Sequence, residues 1–159
     1  MKNPSRMKIS TNQNVVASLL VPVQNKSLLV PNVVIAEVVP LPQIESYEGA
    51  PSWSVGFVQW RGEHIPVISY EIANSQVHGR DSDNARLAVF NATTGQSRYR
   101  FFGVLVQGIP RMIKLTEAEV REDKQTSTGI AEKMAVITQL GKAVIPDLDY
   151  LESLLTKLG

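Results

Sequence analysis

From Val15 onward the chain consists of short runs of β-branched and aromatic residues, broken by turn signals at close spacing. That rhythm favours a β-rich sandwich or barrel over alternating βαβ units. Apolar runs at 15–23 and 27–30 flank Gln24-Asn25-Lys26. Runs at 55–60 and 63–69 flank only Arg61-Gly62, the spacing of a tight hairpin with Arg61 at its tip. Further strands are expected at 87–90, 99–106 and 109–115, turned at Thr93-Thr94-Gly95-Gln96 and bent at Gln107-Gly108. A last hairpin, 134–140 with 143–145, closes around Gly141-Lys142.

Helices should be few. Pro31-Asn32 starts a helical piece through Glu37 that Pro40 and Pro42 stop. Thr116-Glu117-Ala118-Glu119 has the form of a capping box with one turn after it. Asp147 caps a closing helix, 148–158, whose Leu148, Leu151, Leu154, Leu155 and Leu158 form an amphipathic stripe suited to core packing.

The 74–84 stretch carries a single apolar residue and reads as a linker between halves. Ile65-Pro66-Val67-Ile68-Ser69-Tyr70 and Ile145-Pro146-Asp147-Leu148-Asp149-Tyr150 match where a hairpin strand gives way to helix. The organisation expected is a polar tail at 1–14 and one domain at 15–159. That domain would hold two similar small β-barrels, 15–80 and 85–147, before the helix at 148–158. Lys2, Arg6 and Lys8 precede an apolar run, but Ser18 and Pro22 interrupt it, and no segment reaches the ~18 apolar residues of a membrane span. A cytoplasmic protein without membrane insertion is the expectation.

Composition removes much chemistry. With no Cys there are no disulfides, thiolate nucleophiles or Cys-ligated metals, and two His leave little for a His-rich site. His64 belongs to the hairpin as an outward-facing strand residue, and His78 lies in the polar stretch. Asp147 and Asp149 suit a helix start better than a metal, having no third acid nearby. None of the nucleotide-binding, hydrolase or metalloprotease motifs occurs. No enzyme, cofactor, metal or small-molecule substrate is expected. Arg98-Tyr99-Arg100-Phe101-Phe102 interleaves cations and rings as single-strand-binding barrels do, which gives an alternative reading as a small-barrel nucleic-acid binder. A net charge of +1 argues against it, and alternation on a hairpin strand explains the pattern unaided. What remains is surface: Trp53, Trp60, Arg61, Ile35 and Glu37 are residue types that build or orient protein contacts.

The residues 56–68, Gly-Phe-Val-Gln-Trp-Arg-Gly-Glu-His-Ile-Pro-Val-Ile, resemble the Gly-x-x-Asn-Leu-Arg-Gly-x-x-(Ile/Val)-Pro-(Ile/Val)-(Ile/Val) signature of the CheW-like domain of bacterial chemosensory coupling proteins. Glu37 at the matching distance before Arg61, Phe102-Gly103-Val104-Leu105-Val106, and the ending from Ala143 to Leu151 extend the resemblance over 15–158. It implies a mainly β fold of two five-stranded SH3-like barrels with short helices and a C-terminal helix. It also implies a non-enzymatic adaptor that bridges methyl-accepting chemoreceptor tips to the regulatory domain of a CheA-type histidine kinase, in chemotaxis or pilus-motility signalling at membrane-proximal arrays. Arg61 and Glu37 would form the receptor contact, with Gly62 beside the Arg and Ile35 as an apolar neighbour. Barrel edges would meet the kinase and other CheW-like proteins, through residues the sequence does not assign. Gln59-Trp60 in place of Asn-Leu, and Gln107 and Arg111 in place of acidic residues, mark a divergent member resembling accessory proteins of twitching systems.

Overall fold

The computed structural model describes residues 15–158; the tail expected at 1–14 lies outside them. Eleven strands are formed among the described residues: β1 (Val16–Val23), β2 (Lys26–Pro31), β3 (Ile35–Pro40), β4 (Ser54–Trp60), β5 (Glu63–Ile68), β6 (Arg86–Asn91), β7 (Phe101–Val106), β8 (Arg111–Leu115), β9 (Arg121–Glu122), β10 (Glu132–Thr138) and β11 (Gly141–Pro146). Two α-helices accompany them, α1 (Tyr70–Ala73) and α2 (Leu148–Leu155). The strands make a six-stranded sheet, β8-β1-β2-β11-β10-β9, and a five-stranded sheet, β3-β6-β7-β5-β4. The mainly β class is as expected, while the strand count is six and five because the two-residue β9 joins the first sheet.

The sheets do not part near residues 80–85, as the reading of two successive halves at 15–80 and 85–147 required. The five-stranded sheet is built wholly from strands between Ile35 and Val106, inserted between β2 and β8 of the other. Leaving β9 aside, the two sheets share one plan: an antiparallel pair (β1–β2, β6–β7), a further antiparallel strand on its first member (β8, β3), and a hairpin whose second strand joins in parallel (β11 on β2, β5 on β7). One is the other with its strand order circularly permuted. The Ile-Pro repeat is a trace of this, since it marks β5 and β11, although Ser69 caps α1 and Asp147 caps α2 at different positions within the matched six residues.

Three apolar clusters follow from the period-two alternation of side chains along each strand. Leu20, Leu29, Ile113, Leu115, Val136 and Ala143 fill the six-stranded unit. Val58, Ile65, Val67, Leu87, Val89 and Leu105 fill the other. The residues between them, including Val21, Leu28, Val30, Ala88, Phe90, Phe102, Val104 and Val144, join the two units around Leu151, Leu154 and Leu155 of α2. The leucine stripe is therefore core, as read from the sequence.

Local corrections have clear causes. The helical piece from 31 to 37 is only a 3₁₀ turn at Asn32–Val34, because the β-branched residues after it pair as β3 with β6. Ile35 and Glu37 thus sit on a strand, on either side of a bulge. The turns in the six-stranded sheet are Gln24-Asn25 and Gln139-Leu140, each shifted from the expected residues because strand pairing continues through Lys26, Gly141 and Lys142. The 74–84 stretch is no free linker. Asn74, 2% exposed, donates through Nδ2 to Glu132 and accepts from the Ala131 N–H. His78 places Nε2 2.7 Å from Asp81 and Nδ1 3.0 Å from Glu71.

The candidate docking site at the Arg61 hairpin

Both turn residues of the β4–β5 hairpin have positive φ, 49° at Arg61 and 78° at Gly62, the backbone of the tight turn that matches strand twist. Glycine occupies this region freely, whereas arginine is strained there. The turn carries Arg61 to an exposed tip, where its Nε donates to Glu37 Oε1 at 3.2 Å. Trp60 Nε1 donates to the same oxygen at 2.9 Å. Its indole also lies beneath the guanidinium, 5.3 Å from ring centroid to Cζ, and edge-on to Phe101 at 4.9 Å.

β3 and β4 are the two edges of the five-stranded sheet, so these bonds join its ends. A second link is backbone: Glu45, on the chain leaving β3, exchanges N–H···O bonds with Phe57 at 2.8 and 2.9 Å. The sheet curls round on itself, and Glu37 fixes Trp60 and Arg61 at its rim. Arg61, Glu37 and Gly62 are thus brought together at the hairpin tip. Ile35 lies on the same strand as Glu37 but packs toward the cluster between the sheets.

Trp60 is the part sequence reading undervalued. Legible in sequence as an interface type and as a departure from the signature, it supplies the hydrogen bond that a leucine at this position lacks. Gln59, the neighbouring departure, faces outward and contacts His64 across the hairpin, Nε2 to Nδ1 at 3.0 Å. Gln107 is structural: its side-chain oxygen accepts from the Ser82 N–H at 2.7 Å and its Nε2 donates to Asp81 at 3.0 Å, pinning the 74–84 stretch. Arg111 is exposed on β8.

The Arg98–Phe102 motif does not form one strand. β7 begins at Phe101, Arg98 and Arg100 lie in the loop before it, and Phe102 is buried, stacked on Phe90 at 5.3 Å. Interior packing removes Phe102 from any base-stacking row.

Three buried carboxylates tie the units together: Glu71 of α1 accepts from the Gln24 N–H at 2.8 Å, and Glu132 and Glu152 do more. Glu132 Oε2 accepts from Lys26 Nζ (2.7 Å), Tyr70 Oη (2.9 Å) and Asn74 Nδ2 (3.0 Å), while Oε1 accepts from the Gly129 N–H (2.9 Å). Burial opposes ionisation of Glu132, yet Lys26, Gly129 and Tyr70 hold its carboxyl below the usual range. Burial and the Glu132 charge push the Tyr70 phenol well above its own. Glu152 of α2 accepts from the N–H and hydroxyl groups of both Thr93 and Thr94. Among the described residues no group of His, Asp or Glu is arranged to hold a metal, and no helix is long and apolar enough to cross a membrane.

The crystal structure of the scaffolding protein TtCheW from Thermoanaerobacter tengcongensis is similar to this chain, with a TM-score of 0.69 at 16% identity over 82% of this chain and 88% of that one. No curated protein matches the chain. The family model for the CheW-like domain matches residues 17–156, nearly all the residues that make the two sheets and the closing helix. The chain therefore belongs to the CheW-like domain family, a family of scaffold proteins in chemotaxis signalling.

Proposed function

We propose that the protein is a cytoplasmic adaptor that couples methyl-accepting chemoreceptors to the regulatory domain of a CheA-type histidine kinase, with other CheW-like proteins as further neighbours. The receptor tip docks at Arg61, Glu37 and Gly62, with Ile35 lending apolar support from the same strand. The observation that carries this reading is the arrangement at the hairpin tip: an exposed guanidinium held in place by a carboxylate and an indole rather than left free. A preorganised cation loses less freedom on binding. The bulkier Trp60 beside it favours a specialised receptor, as in accessory systems for pilus motility.

A pull-down of the purified chain against a chemoreceptor tip fragment and a kinase regulatory domain tests the reading, with Arg61→Ala and the double variant Arg98→Ala/Arg100→Ala as controls. Loss of receptor capture in Arg61→Ala alone supports it. Capture of neither partner by folded wild-type protein overturns it.

A further inference from the structure

The loop that carries Arg98, Tyr99 and Arg100 takes no part in the Glu37–Arg61 contact, yet it is held firmly. Glu152, 2% exposed, accepts from Thr93 N (3.0 Å), Thr94 N (2.9 Å) and the Thr94 hydroxyl (2.7 Å), and Gln96 Nε2 donates to the Asp149 carbonyl at 3.1 Å. A buried carboxylate thus anchors an exposed loop in advance of any docking, which lowers the entropy lost on binding.

Beyond the anchor, the loop lies against the outer face of the β4–β5 hairpin. Phe57 and His64 point away from the interior that Val58 and Ile65 fill. Their rings are 4.7 Å apart, and Phe57 is 5.5 Å from Tyr47 and 6.1 Å from Tyr99. Arg98 covers the Tyr99 ring at 4.8 Å and donates to its hydroxyl at 2.9 Å. An open cleft of about 330 Å³ lies between His64, Glu63 and the loop.

Charge narrows the occupant. Arg100 is paired with Glu63, whereas Arg98 has no carboxylate within ion-pair reach among the described residues. The cleft therefore offers the rings of His64, Tyr99 and Phe101, with Phe57 packed behind His64 and Tyr99, and one guanidinium without a carboxylate partner. Rings of this kind take a proline or aromatic side chain, and a guanidinium takes a carboxylate through paired N–H donors. A nucleic-acid strand would need a row of cations along its phosphates, where this face has one free Arg and the Glu63 carboxylate opposite.

We propose that this face is a second docking surface, for a short extended acidic peptide segment of a partner protein, which seats a proline or aromatic side chain on His64 and Tyr99 and a carboxylate on Arg98. It is independent of the receptor contact proposed above, since Arg61 does not line it.

The test is selection of a displayed library of randomised 12-residue peptides on the immobilised full chain. Selected sequences, synthesised with a fluorescent label, are titrated against wild type, Arg98→Glu, Tyr99→Ala and Arg61→Ala. The expected result is a consensus with Asp or Glu close to Pro, Trp or Tyr, with affinity falling at least about tenfold in Arg98→Glu and unchanged in Arg61→Ala. Arg98 is exposed, so its variant remains decisive even where Tyr99→Ala fails to fold. Absence of such a consensus, or equal binding by Arg98→Glu, overturns the proposal. Tighter binding of an oligothymidylate than of any selected peptide, weakening steeply with salt, overturns it in favour of single-stranded nucleic acid.

Discussion

Trp60 Nε1 and Arg61 Nε converge on one oxygen of Glu37, so a single carboxylate fastens the rim of the five-stranded unit and orients the exposed cation at the hairpin tip. The indole bond is half-buried and neutral-to-charged, worth more than the exposed ion pair beside it. Trp60→Phe keeps most of the packing on Phe101 but deletes the donor. It should destabilise the chain by about 1–2 kcal/mol in urea unfolding. In a double-mutant cycle with Glu37→Ala, which removes the acceptor, the two changes should be non-additive; additivity would show that the bond contributes nothing.

Arg61 holds an exposed cation on a strained backbone. Its side chain is 68% exposed, so the pair with Glu37 adds at most about 0.5–1 kcal/mol. Asparagine is better suited to the left-handed conformation at φ 49°. Arg61→Asn should therefore leave the thermal midpoint unchanged or slightly raised while receptor-tip capture is lost. A midpoint lowered by more than about 3 °C, roughly 1 kcal/mol for a domain of this size, would instead identify Arg61 as a structural residue.

Acid should loosen the junction between the two units. Glu132, Glu119 and Asp123 all ionise below their usual ranges, Glu119 through the Thr116 N–H and hydroxyl, Asp123 chiefly through the Thr126 hydroxyl. A carboxyl whose folded value is depressed stabilises the fold above its unfolded value of about 4 and loses that contribution as pH falls through the folded one. The thermal midpoint should decline below about pH 4.5, and Glu132→Gln should start lower and decline less. At pH 7, Glu132→Gln should lower stability by about 2–4 kcal/mol because Lys26 is left without its counter-charge. Parallel pH profiles for variant and wild type would contradict this.

Glu152→Ala should release the 93–100 loop without unfolding the sheets. Four donor groups of Thr93 and Thr94 end on this carboxylate, and their loss leaves backbone donors to solvent. Amide hydrogen exchange at Thr93 and Thr94 should quicken at least about tenfold while exchange in β6 and β7 is little changed. Uniform acceleration would mean that Glu152 supports the global fold rather than the loop.

The legible parts of this chain were the local ones. Alternation along β1 sends Leu20 and Val21 to different cores, and Arg61-Gly62 encodes its own turn, because neighbours along the chain decide both. The nesting of one sheet within the other was illegible, because it depends on β2 pairing in parallel with β11 across the whole length of the inserted unit. Pro31-Asn32 predicts a helix reaching Glu37, while the β6 partner that makes it a strand comes some 50 residues later. Glu132 and Glu152 went unnoticed for the same reason: their partners Asn74 and Thr94 are each 58 residues away, and a lone glutamate in sequence gives no sign of burial.

Gly56 shows how a residue of the hairpin signature works through backbone alone. Its φ of 138° lies beside the bulge between Ser54 and Gly56, and a Cβ there would fall 2.3 Å from the Glu45 carbonyl oxygen and 2.9 Å from Ile44. The Glu45 backbone cannot retreat, since its N–H and C=O are both bonded to Phe57 in the link that curls the sheet round. Gly56→Ala must therefore either break that link or force β4 outward, with the conformational strain of a positive φ added. The expected effect is a loss of about 3 kcal/mol or more. Gly62→Ala, at an open position with nothing near its Cβ, should lose only about 1 kcal/mol from φ alone. Chemical denaturation of the two variants side by side separates crowding from backbone strain; equal losses would show that the approach of Glu45 to β4 is dispensable.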